Sequence, residues 1–331
     1  MVLKLGDYMR RRKFITLLGG AAVSPLIAHA QQPNRVRRIG VLVSASPPHP
    51  FADAFWRGLH ALGYSEGQNI TVEFRYTEGR SDRAAELAAE LVRLRVDVIV
   101  AHFTPGVKAA MGATQTIPIV MVVGAPVQSG FIDSLARPGG NATGLSAMDA
   151  EIGGKRLQLL RELIPSLACV AVLGSTPTTN PYSGPFVEDL RLAAMRAGLR
   201  LEPVLVSGPN EFESAFAAMA KAKAQAVIVQ ELFDPHRVIL LKLAAKHRLA
   251  YMSGTRETTA AGGLVSFSAN WLVLYERAAF YVDMILKGAK PATLPVEQPT
   301  KFQTVINLKT AQTLGLTVSP SLLAQADEVI E

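Results

Sequence analysis

The chain carries the same pattern of elements twice, and this constrains its fold more than any other feature. "RRIGVLVS" is a short β-branched run. It is followed by a helical pattern ending at Gly63, an alternating run "NITVEFRY", an amphipathic stretch "RAAELAAELVRLRV" and a buried-strand run "DVIVA". The same series returns as "ACVAVLGS", "PFVEDLRLAAMRAGLRLEPVLV" and "EFESAFAAMAKAKAQAVIVQE". Val98-Ile99-Val100 recurs as Val227-Ile228-Val229, an offset of 129 residues. Strands alternating with helices predict βαβ units and parallel sheets. A period this long means a duplicated domain rather than a solenoid.

The predicted fold is therefore α/β, with two similar lobes built on parallel sheets. Lobe one is expected over residues 36–145 with a returning segment 269–298, which holds the helical pattern "WLVLYERAAFYVDMILKG". Lobe two is expected over residues 146–268 with 299–331. Parallel sheets bind ligands beyond the carboxyl ends of their strands. With those ends facing each other across short extended crossings, a ligand sits in the cleft and hinge closure buries it.

Residues 1–30 read as an export signal. Arg10 to Lys13 precede an apolar run, Phe14 to Ala28, that is broken by glycines and too short to span a bilayer. Ala28-His29-Ala30 fits a small-x-small cleavage site, and Arg11-Arg12-Lys13-Phe14-Ile15 resembles a twin-arginine signal. Of the chain's formal charge of +7, the signal holds +4, so the basic balance carries no argument for nucleic acid. About 300 remaining residues, nearly half of them apolar, suit two domains. Cys169 is the only cysteine, so no internal disulfide forms, and its apolar run makes it a small buried hydrophobe. The periplasm is the expected location.

Several stretches resemble one family. "GLHALGYSEGQNITVEFRYTEG", "RPGGNATGLS", "GGLVSFS", "ILKGAKPATLPVEQPTKFQTVINLKTAQTLGL" and "LLAQADEVIE" are similar to exported ABC-transporter substrate-binding proteins of an aromatic amino acid-binding-like group. The resemblance covers essentially the whole chain. It implies the type I periplasmic-binding-protein fold, two Rossmann-like lobes with parallel sheets joined by a three-crossing hinge, together with a small-molecule ligand and a permease partner in the inner membrane; a monomer without a cofactor is expected.

Candidate ligand contacts lie in the loops after the strands. The first loop, "SASPPHPFADAF", offers Ser44, Ser46 and Phe51, although capping of the following helix would use the same groups. "AHFTPGVKAA" places Phe103 and Thr104 before a helix expected to start at Pro105. Thr104 suits an N-cap, an oxyanion contact, or both. Phe103 suits either a ligand wall or the core. "VVGAPVQSG" supplies Gly124 and Ala125, where the resembling family often has Asp-Pro; Ala125 offers no carboxylate for an ammonium. In lobe two, Asn180, Tyr182, Glu231 and Phe233 follow strands. Arg256 could clamp a carboxylate or brace the hinge with Glu257. Phe267 stands where the family tends to have Tyr, keeping the ring without the hydroxyl.

Catalytic signatures are missing. "GLSAM" fails G-x-S-x-G at its last position, and there is no H-E-x-x-H, paired cysteine, P-loop or G-x-G-x-x-G. Gly153-Gly154-Lys155-Arg156 reads as a solvated helix start. The expected protein is a binder, not an enzyme. The alternatives are a periplasmic ligand sensor that docks on a receptor, and an exported hydrolase or isomerase on the same scaffold.

Overall fold

The computed structural model describes residues 36–148, 151–177, 180 and 182–331. The export signal and its cleavage site lie outside the described residues. Lobe one contains β1 (Arg37–Val43), α1 (Pro50–Ala61), β2 (Ile70–Tyr76), α2 (Ala84–Arg93) and β3 (Val98–His102). It continues through α3 (Phe103–Ala113), β4 (Ile119–Val123) and β5 (Ala142–Ser146). Its sheet has the order β2-β1-β3-β4-β5 with every pairing parallel.

The second series is α4 (Gly153–Leu163), β6 (Cys169–Ser175), α5 (Ser183–Arg196), β7 (Arg200–Val206), α6 (Phe212–Lys221) and β8 (Ala226–Val229). After a 3-10 turn at Glu231–His236 come α7 (Arg237–Lys246), β9 (Ala250–Ser253), α8 (Arg256–Ala260) and β10 (Val265–Ala269). The order β7-β6-β8-β9-β10 repeats that of lobe one. The recurring Val-Ile-Val triplets are β3 and β8, each hydrogen-bonded to the first strand of its own lobe. Both strands are buried, which is why each reads as an unbroken apolar run.

The chain then returns. α9 (Trp271–Leu286) lies against α1 and adds Tyr275, Ala278, Ala279 and Val282 to the core of lobe one. The approach is close because α1 carries Gly58: a Cβ there would overlap the Glu276 carbonyl and the Ala279 methyl. Residues 294–297 bond to the β5 edge, through Glu297 N–H to Gly144 O at 3.0 Å and Ser146 N–H to Glu297 O at 2.9 Å. β11 (Phe302–Asn307) then joins the other sheet, antiparallel to β10. α10 (Leu308–Thr313), α11 (Pro320–Gln325) and β12 (Glu328–Ile330) complete that edge, β12 running parallel to β11. The chain thus passes between the sheets after β5, after β10 and between Glu297 and Phe302.

Cys169 is buried in β6, and burial pushes its thiol pKa up. Among the described residues no helix is long and apolar enough to cross a membrane.

Candidate functional site

The carboxyl ends of β3 and β4 face those of β6 and β8 across a small cavity of about 20 Å³. Lobe one lines it with Phe103, Thr104 and Gly124. Lobe two contributes Asn180, Tyr182, Gln230, Glu231 and Leu232. Of the expected contacts, Phe103, Thr104, Gly124, Asn180, Tyr182 and Glu231 meet here. A space of this size holds about one water, so a larger ligand requires the walls to part.

The lobe-one wall is strained at one point. Phe103 has φ +54°, the left-handed region that a bulky residue rarely occupies. That turn lays its ring on His102 at 3.7 Å between centroids and edge-on to Trp271 at 4.9 Å. It also moves the helix start. α3 begins at Phe103 with His102 in the N-cap position, so Thr104 is the helix's second residue rather than its cap. Thr104 is buried at the positive end of the α3 dipole.

His102 is fully buried among Phe51, Phe103, Trp271 and Tyr275, and neither ring nitrogen has a hydrogen-bond partner among the described residues. Burial, helped by the nearby His49, holds its pKa well below the usual histidine value. Burial also lowers the pKa of His49, against the pull of Asp234 and together with that of Arg237.

Glu231 does not face the cavity as a free acid. Arg156 Nη2 donates to Glu231 Oε1 at 2.6 Å, with both side chains almost completely buried. Arg156 Nε also donates to the Phe267 carbonyl at 3.1 Å. The solvated helix start expected at Gly153-Gly154-Lys155-Arg156 is therefore corrected. Arg156 shares the buried face of α4 with Leu157, Leu160 and Leu163. That apolar-face spacing was readable; what it lacked was any sign of the partner 75 residues away. Gly254 makes room for the pair, since a Cβ at that position would overlap the Glu231 carboxylate. The Gly254 carbonyl accepts from Trp271 Nε1 at 3.1 Å, linking α9 to the loop after β9. The neighbouring acid, Asp234, is also engaged: Oδ1 accepts from Thr255 and Thr258, and Oδ2 pairs with Arg237.

Sequence reading missed Gln230. Its Oε1 accepts from the Ser175 backbone N–H and from Ser183 Oγ, each at 3.0 Å. A backbone N–H can only donate, so the amide is fixed with Nε2 as the remaining group. Nε2 is buried on the cavity wall without a partner among the described residues.

The other expected contacts lie elsewhere. Ser44 Oγ donates to the His102 carbonyl at 3.0 Å, beneath the start of α3. Ser46 is exposed. Phe51 stacks on Tyr275 at 4.6 Å inside the core of lobe one. Ala125 is buried among apolar residues of lobe two. Phe267 stacks on Phe302 at 5.5 Å. Arg256, expected as a carboxylate clamp or a partner of Glu257, instead opens α8 and grips Glu328 with both arms, at 2.7 and 2.5 Å. It braces β12, because the turn capped by Thr255 aims it away from the cleft.

Phe233 packs edge-on against Phe212 and lines a second, larger space of about 920 Å³. This groove also lies between the lobes. Ala84, Pro105, Lys108 and Ala109 line one side, and Ser175, Leu232 and His236 the other. Leu232 borders both the groove and the inner cavity. His236 Nε2 lies 3.1 Å from the Gly79 carbonyl, a hydrogen bond between the two lobes.

The chain is similar to several known proteins. It is 26% identical over 289 residues to a tyrosine-binding protein of Clostridioides difficile (strain R20291), covering 86% of this chain and 82% of that one. A solved ABC domain in complex with L-Trp from Streptococcus pneumonia matches with a TM-score of 0.82. It is 27% identical, covering 89% of this chain and all of that one. A conserved domain protein of Vibrio cholerae matches with a TM-score of 0.81 at 26% identity, over the same shares. The fold is that of the type I periplasmic binding proteins. The family model for ABC transporter substrate binding proteins matches residues 38–330, and the chain belongs to that family.

Proposed function

We propose that the protein is the ligand-capturing component of an ABC importer, working outside the inner membrane and delivering its ligand to a permease. Residues 36–145 with 269–298 form one moving body, and 146–268 with 299–331 the other. The ligand is a small carboxylate with an aromatic or apolar body, and it needs no ammonium. The observation that carries this reading is the buried Arg156–Glu231 pair beside the cavity. It neutralises the acid that would otherwise hold an amine. Burying an ammonium without a partner is costly. Thr104 and the first N–H groups of α3 suit the carboxylate. The body runs past Leu232 into the apolar part of the groove.

A binder of this kind needs shape, a few directed polar contacts and a hinge, and no catalytic group. The Arg11-Arg12 signal supports export, and N-terminal sequencing of the exported chain should give Gln31 first. Full-length chain retained in the cytoplasm would sink that part of the proposal.

Calorimetry on matched ligands tests the ligand class. 3-Phenylpropionate should bind at least tenfold more tightly than phenylalanine. The tyrosine-binding and L-Trp-bound relatives favour a second reading, in which an aromatic amino acid is the ligand. Phenylalanine binding tenfold more tightly than phenylpropionate would establish that reading over the first.

A further inference from the structure

We propose that Gln230 reads a second acceptor oxygen on the ligand, next to its carboxylate, so that the cleft selects 2-oxo acids over 2-amino acids. This rests on the carboxylate reading above and adds to it the identity of the neighbouring group.

Gln230 is 2% exposed and is held from behind by two donors, Ser175 N–H and Ser183 Oγ. Those donors fix which end of the amide faces which way. Nε2 therefore presents hydrogens on the wall of the cavity that also contains Thr104, and nothing among the described residues accepts them. A buried donor left unpaired costs free energy that a ligand acceptor recovers. The two acids closest in sequence are both used, Glu231 by Arg156 and Asp234 by Thr255, Thr258 and Arg237. An ammonium placed here would meet the hydrogens of Nε2 rather than a lone pair.

The shared cavity favours a short spacing between the two groups on the ligand. Thr104 and Gln230 line one cavity of about 20 Å³, so once the walls part to admit a ligand, the two groups they read still lie close together. A 2-oxo acid meets this with the shortest spacing, its second oxygen on the carbon next to the carboxylate. The apolar remainder leaves past Leu232, the residue shared by the cavity and the groove.

The test uses three ligands of one skeleton on the full exported chain: 3-phenylpyruvate, 3-phenylpropionate and phenylalanine. Calorimetry should rank phenylpyruvate at least tenfold tighter than phenylpropionate, a comparison that needs no variant. In Gln230→Glu, whose carboxylate can keep the two supporting hydrogen bonds, that advantage should vanish and phenylalanine should overtake phenylpyruvate. Equal binding of phenylpyruvate and phenylpropionate by the unaltered protein overturns the role of Gln230 and leaves the carboxylate reading standing. Phenylalanine as the tightest ligand of the unaltered protein overturns both. Binding of none of the three overturns the 2-oxo inference, and a thermal shift with some other carboxylate would still support the proposed function.

Discussion

At the scale of single residues, the buried ion pair is the feature most exposed to test. Arg156→Met leaves the Glu231 carboxylate buried without its Nη2 partner, and should cost about 3–5 kcal/mol of stability in denaturant unfolding. The double variant Arg156→Met/Glu231→Leu should recover most of that loss, because it removes both charges. A double variant no more stable than the single would mean that the remaining Arg156 contacts, including the one to the Phe267 carbonyl, matter more than the charge pair. His102 makes a different prediction. Its folded pKa lies well below the ordinary 6.5, so the fold favours the neutral ring. That stability is fully present above about pH 6.5 and is lost as the pH falls toward the folded value. In thermal melts, His102→Phe should lose less stability than the unaltered protein between pH 7 and pH 5. An unchanged pH dependence would mean that other groups govern the acid limb.

At the scale of elements, α9 matters because it packs in one lobe and bonds to the other. Its apolar face fills the core of lobe one, while the Trp271 indole donates to the Gly254 carbonyl beside Glu231. Trp271→Phe keeps a ring against Phe103 and removes the hydrogen bond, a loss of about 1 kcal/mol. If that bond forms only when the lobes are together, the variant should bind ligand about fivefold more weakly with little change in unfolding midpoint. A drop in midpoint without a drop in affinity would make Trp271 a packing residue only. α3 shows why helix ends cannot be placed to the residue from sequence. Thr-Pro is a good start signal, but the left-handed turn at Phe103 begins the helix two residues earlier and turns Thr104 toward the cavity.

At the scale of the whole molecule, the polar contacts across the cleft among the described residues are few. They include His236 to Gly79 and Trp271 to Gly254, and a groove of about 920 Å³ lies alongside them. Few contacts and three connecting segments suit a hinge in which ligand shifts the balance between open and closed forms. Small-angle scattering should show a smaller radius of gyration when a ligand identified by thermal shift is added. At a hundredfold excess over Kd that ligand stabilises the fold by about 2.7 kcal/mol. An unchanged radius at saturating ligand would refute the two-body motion proposed for this chain.

The sequence by itself determined the duplicated series of strands and helices and which segments are buried strands. Both follow from apolar periodicity and chain-local turn signals, which are written along the chain. It also located the loops that hold Phe103, Thr104, Gly124, Asn180, Tyr182 and Glu231, because in parallel sheets function gathers after the strands. Only the tertiary structure decided how the charges and amides in those loops are used. Arg156 and Glu231 are far apart in sequence, as are Arg256 and Glu328, and Gln230 is fixed by donors from two other segments. A side chain's residue type says whether it donates or accepts. Which of its atoms remain for a ligand depends on the partners that folding brings to it, and those belong to distant parts of the chain.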